Sequence, residues 1–267
     1  MHRARVITAV LLLPLVVGLI LYAPKLVVWL AILLATEVGW YEYARMTRLP
    51  PDLFMAGVFC LLFFLVAFYA QPVLFLLALW LSLLLLTLYF LPRFVGYEFI
   101  VLFGFALAGV VYLGISFGHL FLVFTLKEGR LWLLILMAVV FGTDTGAYYT
   151  GRALGRRSLA PRVSPKKTWE GTIGGTLLGS GLGGLLAYFF FGLASLKWLL
   201  PFFFLVSVAG QIGDLLESMI KRACRVKDSG QILPGHGGLL DRVDALVFAA
   251  PFFYWGLSFL KNWLPFF

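Results

Sequence analysis

Long apolar runs separated by short polar turns dominate this sequence. A run of about 20 apolar residues is enough to cross a bilayer as a helix. Candidate runs cover about residues 6–22, 26–44, 54–70, 73–91, 99–125, 131–150, 171–192, 198–220 and 242–264. Very short turns around Pro24, Pro50-Pro51 and Pro72 separate the first four of them. The pattern therefore predicts an all-α integral membrane protein with about nine transmembrane helices.

The composition agrees with this prediction and excludes an ordinary soluble enzyme. Hydrophobic residues make up 62% of the 267 positions and charged residues only 12%, whereas an average soluble chain is about 25% charged. Cys60 and Cys224 are far apart and form no CxxC pattern. The three histidines are scattered, so neither a disulfide scaffold nor a His/Cys zinc site is predicted.

The basic residues are distributed unevenly among the turns. If the spans alternate in direction, most of the 21 Lys and Arg residues fall on the side of the N-terminus. The positive-inside rule then places the N-terminus in the cytoplasm, together with the two long connections at about 151–170 and 221–241. We divide the chain into an N-terminal transmembrane bundle, 1–125, and a catalytic transmembrane region, 126–267, which contains both connections.

Several carboxylates fall inside the predicted spans or at their edges. These are Glu37, Glu42, Asp144, Asp214, Glu217 and Asp244. An ionisable group at membrane depth is costly, and it indicates a polar cavity or a site. We favour a functional role for Asp144 and Asp214. Glu37 and Glu42 could equally well pair with a nearby arginine such as Arg45.

A glycine-rich segment opens the seventh span. It reads GTIGGTLLGSGLGG and contains a GxGxxG match, but a dinucleotide site would also need a preceding strand and a βαβ unit. Gly171, Gly175, Gly179 and Gly183 recur every four residues. This spacing predicts a flat strip on which another helix packs closely.

The connection at 151–170 is strongly basic and ends in a cluster of hydrogen-bond donors. The run Ser164-Pro165-Lys166-Lys167-Thr168 presents hydroxyl and ammonium groups suited to phosphate oxygens. It leads directly into a predicted helix, whose first N–H groups also favour anions. We therefore predict substrate binding by Asp144, Ser164, Lys166, Lys167 and Thr168. Attraction of this loop to anionic lipid headgroups is the alternative.

The stretch from residue 214 to residue 244 combines carboxylates with basic residues. Asp214, Ser218 and Lys221 are spaced to lie on one face of a helix. The glycine-rich turn around Gly237 and Gly238 folds the chain back, so Asp214 could meet Asp241 and Asp244. Carboxylates beside cations suit a magnesium–nucleotide site, and these three aspartates are the predicted ligands of one or two Mg²⁺ ions. Interhelical salt bridges and the ion path of a transporter are the alternatives.

The same stretch carries a resemblance to a known family. The run Ser218-x2-Lys221-Arg222-x4-Lys227-Asp228-x-Gly230-x2-Leu233-Pro234-x-His236-Gly237-Gly238-x2-Asp241-Arg242-x-Asp244 resembles the signature of CTP:phosphatidate cytidylyltransferases, the integral-membrane CDP-diacylglycerol synthases. The segment around Asp144 and the run from Ser164 to Gly171 resemble that family too. The opening Arg5-Val6-Ile7 and the pair Glu42-Tyr43 resemble it more weakly.

The resemblance implies transfer of the cytidylyl group of CTP to phosphatidate, which forms CDP-diacylglycerol and pyrophosphate for phospholipid biosynthesis. It also implies a bacterial cytoplasmic membrane, an active site facing the cytoplasm, contact with membrane lipids and a homodimer, with no nucleic acid as partner. The rival activities are a CTP-dependent lipid kinase of the polyprenol type, which would transfer the γ-phosphate, and a transporter.

The site residues implied by the resemblance extend those inferred from the residues alone. The phosphatidate phosphate would attack the α-phosphorus of CTP in line, and this nucleophile is already ionised and needs no general base. Lysines and arginines would neutralise the phosphates, while Ser218 and His236 would orient groups. The expected catalytic residues are Asp214, Ser218, Lys221, Arg222, Lys227, Asp228, His236, Asp241, Arg242 and Asp244. The expected substrate-binding residues include Gly237 and Gly238 besides Asp144, Ser164, Lys166, Lys167 and Thr168.

Overall fold

A computed structural model of the chain describes residues 2–94, 96–193, 196–232 and 237–261. Helices account for most of these residues. They are α1 His2–Tyr22, α2 Lys25–Thr47, α3 Pro51–Ala70, α4 Phe75–Phe90, α5 Tyr97–Thr125, α6 Gly129–Leu154, α7 Trp169–Phe191, α8 Leu196–Ala223 and α9 Leu240–Leu260. Short 3₁₀ turns at Pro72–Leu74 and Leu91–Arg93 flank α4.

The predicted all-α membrane fold is confirmed. Helices α2 to α9 are each long and apolar enough to cross a membrane, counting α4 together with the 3₁₀ turn that follows it. Among the described residues, α1 contributes only the shorter apolar segment Leu12–Tyr22. The ninth span and the orientation of the N-terminus therefore stay predictions.

The chain forms two compact units, and the first comprises Met1–Leu122 and Asp228–Arg242. Its helices pack by placing aromatic rings directly over glycines, with Trp40 over Gly57 and Phe68 over Gly118. The Trp40 indole also donates a hydrogen bond of 2.9 Å to the Phe54 carbonyl. A buried ring thus fills the space that each glycine leaves, and the polar nitrogen of the Trp40 ring keeps a partner.

The second unit comprises Val123–Lys227 and Val243–Phe267, and its helices α6 and α7 pack backbone against backbone. A Cβ atom at Gly146 would lie only 2.9 Å from the Cα atom of Gly175, and one at Gly179 would overlap the Thr143 hydroxyl. The predicted glycine strip is therefore confirmed. The Thr143 and Ser207 hydroxyls share a hydrogen bond of 2.7 Å that joins α6 to α8.

The connection between α6 and α7 contains a small β-ribbon, where the sequence predicted only a loop. Strands β1 (Ser158–Ala160) and β2 (Ser164–Thr168) pair in antiparallel fashion, with Ser158 opposite Thr168. The Glu170 carboxylate accepts a hydrogen bond of 3.1 Å from the Arg156 amide. The ribbon thus leads back to the start of α7 and holds the Ser164–Thr168 run in an extended conformation.

Candidate functional site

Lys167, Asp214 and Asp244 form a lysine–carboxylate cluster in the second unit. Lys167 stands near the end of β2, Asp214 lies on α8, and Asp244 lies in the second turn of α9. The Lys167 ammonium forms an ion pair with Asp214 Oδ2. Asp244 interacts electrostatically with Asp214 and with Lys167. Asp244 also interacts electrostatically with the Lys221 ammonium on α8, so two carboxylates of like charge lie near two ammonium groups.

Exposure differs among the three members of this cluster. The side chains of Lys167 and Asp214 are 27% and 29% exposed, whereas Asp244 is buried. Both side chains of the ion pair thus keep contact with solvent. The cluster is consequently accessible to a small polar ligand at its Lys167–Asp214 side.

The side chains on α8 follow the predicted helical spacing. The Ser218 hydroxyl donates a long hydrogen bond of 3.5 Å to Asp214 Oδ1. Lys221 donates a hydrogen bond of 3.0 Å to Glu217 Oε1, and these side chains are only 11% and 2% exposed. The sequence reasoning noticed Glu217 but gave it no place in the site. The i, i+4 spacing of a glutamate before a lysine was the signal that would have found this pair.

Two predicted phosphate-binding groups have structural partners. The Arg222 guanidinium donates to the carbonyls of Val163 and Val226, at 3.2 and 3.4 Å, so it joins the turn of the ribbon to the end of α8. The Thr168 hydroxyl accepts a hydrogen bond of 3.1 Å from the Gly171 amide and so caps α7. One of the first N–H groups of α7, that of Gly171, is thus bonded within the chain, and anion binding at this helix start stays a prediction.

The remaining candidates of the second unit lie at its surface or close to it. Asp144 on α6 and Lys166 on β2 are exposed, and so is Lys227 after α8, while Ser164 is half-buried. Lys167 is therefore the member of the Ser164–Thr168 run for which the structure shows a carboxylate partner.

Glu42, Ser229 and Asp241 form a glutamate–aspartate anchor in the first unit. Glu42 is 1% exposed, and its carboxylate accepts hydrogen bonds from the Ser229 hydroxyl at 3.1 Å and from the Leu239 and Leu240 amides at 2.9 Å each. These partners replace the arginine pairing that the sequence left open. Glu42 therefore bonds directly to the start of α9.

Asp241 completes the anchor in the first turn of α9. Its Oδ2 atom accepts hydrogen bonds of 2.9 Å from the amides of Ser229 and Gly238. Gly237 adopts a left-handed φ of 87°, a conformation that glycine adopts readily. Asp228 and Arg242 are exposed, and the predicted residue His236 lies outside the described residues.

The aspartates predicted as metal ligands are divided between the units. Asp214 and Asp244 belong to the second unit and Asp241 to the first, so the convergence of all three stays a prediction. Among the described residues, no group of three His, Cys, Asp or Glu side chains could hold a metal ion. Mg²⁺ is often held by one or two carboxylates together with substrate phosphates. The pair Asp214 and Asp244 fits a cation of that kind, which would bind with a nucleotide.

Known proteins resemble this chain over most of its length. A family model described as "Cytidylyltransferase family" matches residues 3–260. A phosphatidate cytidylyltransferase of Bacillus subtilis (strain 168) is 41% identical over 162 residues, or 58% of each of the two chains. A protein of the same name from Brucella suis biovar 1 (strain 1330) is 48% identical over 170 residues, which cover 61% of this chain and 60% of the relative. The chain thus spans less than two thirds of the length of these curated relatives.

Proposed function

The chain belongs to the cytidylyltransferase family, and from this premise we propose that it transfers the cytidylyl group of CTP to phosphatidate. The products would be CDP-diacylglycerol, a precursor for phospholipid biosynthesis, and pyrophosphate. Both relatives described above are phosphatidate cytidylyltransferases by name. The structural observation that carries the proposal is the ion pair of Lys167 with Asp214 beside Asp244, because nucleotidyl transfer needs cations and carboxylates at one place.

In the proposed reaction, an ionised oxygen of the phosphatidate phosphate attacks the α-phosphorus of CTP. A new O–P bond forms, the bond from the α-phosphorus to the bridging oxygen of the β-phosphate breaks, and pyrophosphate leaves with the electron pair. Asp214 and Asp244 would hold Mg²⁺, which when bound would neutralise charge on the phosphate oxygens. The predicted roles of Asp228, Asp241 and Arg242 are retained in this proposal.

Lys167 has a role of its own in this mechanism. In the structure its ammonium group neutralises Asp214. A phosphate oxygen is an equally good partner for an ammonium group, and the ion pair keeps contact with solvent, from which a substrate phosphate can approach. We infer that Lys167 moves from Asp214 to a substrate phosphate when substrate binds, which leaves the aspartate to coordinate the cation.

A product analysis with doubly labelled CTP tests the proposed function. Purified protein is incubated in detergent–phosphatidate micelles with Mg²⁺ and CTP that carries distinguishable labels on its α- and γ-phosphates. We expect the α-label in lipid, the γ-label in pyrophosphate, and no turnover with excess chelator. In micelles that also contain a polyprenol, transfer of the γ-label to the lipid hydroxyl with release of CDP would instead identify a lipid kinase. Solute uptake into liposomes that contain the protein, without CTP turnover, would identify a transporter.

We also propose that the transfer takes place at the cytoplasmic face of a bacterial inner membrane and that the protein is a homodimer. The basic residues of the 151–170 connection support the orientation through the positive-inside rule, and the family resemblance supports the dimer. A Lys166→Cys variant should react with a membrane-impermeant maleimide in inverted vesicles but not in intact cells, with the native Cys60 and Cys224 replaced by serine. Mass measurement in nanodiscs should give two copies of the chain.

A further inference from the structure

We propose that Glu42 is a positioning residue for the transfer reaction, which acts by holding Asp241 and the backbone around it in place. The inference rests on the proposed function, in which Asp241 takes part. Glu42 lies on α2, far from Asp241 in sequence. The hydrogen bonds described above join it to Ser229, Leu239 and Leu240, and to none of the lysines or arginines that are predicted to bind substrate phosphates. Its effect must therefore pass through the segment that it bonds.

The hydrogen bonds form two linked layers. In the first layer, Glu42 accepts the Leu239 and Leu240 amides and the Ser229 hydroxyl. In the second layer, Asp241 accepts the amides of Ser229 and Gly238. Ser229 belongs to both layers, because its hydroxyl bonds Glu42 while its amide bonds Asp241. The position of the Asp241 carboxylate therefore depends on a segment that Glu42 holds at both ends.

Two glycines make room for the Glu42 carboxylate. A Cβ atom at Gly230 would lie 2.6 Å from Glu42 Oε1, and a Cβ atom at Gly238 would lie 2.6 Å from Glu42 Oε2. Any larger residue at either position would displace the carboxylate. The absence of side chains at these two positions thus lets the backbone approach the Glu42 carboxylate closely enough to donate hydrogen bonds to it.

The chemistry of the contacts requires a carboxylate at position 42. All three partners act as donors, and a carboxylate offers acceptor positions on both oxygens. The amide of glutamine would turn an N–H group toward one of these donors and lose the hydrogen bond there. Aspartate keeps both acceptor oxygens but is shorter by one methylene group, so it should restore the function in part.

Hydrogen–deuterium exchange of Glu42→Gln without substrates tests the contacts directly. A purely local effect would speed exchange only at the Leu239 and Leu240 amides, which bond Glu42 itself. A positioning role predicts faster exchange also at the Ser229 and Gly238 amides, which bond Asp241, by about tenfold or more. Unchanged exchange at Ser229 and Gly238 would overturn the inference.

Turnover measurements then connect the contacts to the reaction. We expect Glu42→Gln to lower kcat about 10–100-fold, as removal of a group that orients a ligand commonly does. The Mg²⁺ concentration for half-maximal activity should rise about tenfold, while the KM for phosphatidate changes by less than about twofold. Glu42→Asp should regain part of the activity. The exposed Glu98 at the start of α5 supplies the control, since Glu98→Gln should match the parent protein.

The two experiments separate failure of the inference from failure of the proposed function. Parent protein without CDP-lipid synthesis would overturn the proposed function, whatever the exchange data show. Active parent protein together with a Glu42→Gln variant of unchanged Mg²⁺ dependence would overturn the positioning role alone. If Glu42→Gln does not fold, Ser229→Ala removes one hydrogen bond to Glu42 and gives the same readouts, which decide between the same outcomes.

Discussion

The lysine–carboxylate cluster and the glutamate–aspartate anchor differ in the kind of group that donates to their carboxylates. In the lysine–carboxylate cluster, the bonds to Asp214 come from side chains, the partly exposed Lys167 and, at 3.5 Å, Ser218. In the glutamate–aspartate anchor, the bonds to Glu42 and Asp241 come mainly from backbone amides. Backbone donors cannot leave without unfolding the segment, whereas a lysine can move away by rotating its side chain. We therefore expect the lysine–carboxylate cluster to exchange ligands and the glutamate–aspartate anchor to hold its carboxylates in fixed positions.

We expect the largest effect from a substitution of Asp214, which contacts Lys167 in the lysine–carboxylate cluster. Asp214→Asn keeps the shape of the side chain but removes the negative charge that faces Lys167 and Asp244. We expect kcat for CDP-lipid formation to fall about 10³-fold, since loss of a charged group at a phosphoryl-transfer site removes transition-state stabilisation. Steady-state turnover with labelled CTP measures the loss.

Asp52→Asn is the matched control for this substitution. Asp52 is likewise an aspartate on a helix that is paired with a basic residue, Arg93, at 3.5 Å, but both side chains are 52% exposed. Activity within about twofold of the parent protein is expected. Equal losses in the two variants would mean that the charge at position 214 has no special role.

The second effect tests whether Lys167 exchanges partners. Lys167→Ala should lower kcat about 10²-fold, because a cation for the substrate phosphate is lost. The same variant should bind Mn²⁺ more tightly in the absence of CTP, since no ammonium group competes for Asp214. Electron paramagnetic resonance of free Mn²⁺ measures this binding without turnover. Lys197→Ala, at an exposed lysine beside Trp198, should change neither quantity, and weaker Mn²⁺ binding by Lys167→Ala would refute the exchange.

We expect the third largest effect from removal of the Ser229 hydroxyl in the glutamate–aspartate anchor. Ser229 is buried, and its hydroxyl donates to the Glu42 carboxylate at 3.1 Å. A hydrogen bond to a charged group contributes about 1.5–3 kcal/mol, so Ser229→Ala should lower thermal stability measurably and reduce kcat about tenfold. Thermal unfolding followed by circular dichroism, together with turnover, tests this prediction.

We expect the smallest effect from removal of the Ser218 hydroxyl beside the lysine–carboxylate cluster. The Ser218 hydroxyl lies 3.5 Å from Asp214 Oδ1, at the outer limit of a hydrogen bond. Ser218→Ala should therefore lower kcat less than about threefold and leave the thermal unfolding temperature unchanged. A larger loss than that of Ser229→Ala would reverse the ranking of the two groups.

Regular features of the chain could be predicted from its sequence because they depend on local composition. The long apolar runs marked the helices, and the four-residue repeat from Gly171 to Gly183 marked the face on which α6 packs. The helical spacing also brought Ser218 next to Asp214. Each of these depends on residues that are neighbours along one helix.

The features that the sequence analysis missed depend on distant partners or on short, irregular backbone. Strand β1 has three residues and β2 contains a proline, so no alternating pattern marks the ribbon. The structural role of Arg222 depends on the carbonyl of Val163 in that same ribbon. Glu42 finds its partners 187 to 198 residues further along the chain, a separation at which no local pattern applies.

This separation has a consequence for the order of synthesis. The ribosome adds about 5–20 residues per second, so roughly 10–40 s pass between translation of Glu42 and translation of Ser229, 187 residues later. During that interval α2 carries a glutamate whose final hydrogen-bond donors do not yet exist. Closure of the first unit is thus a late event in biosynthesis, which depends on the arrival of α9.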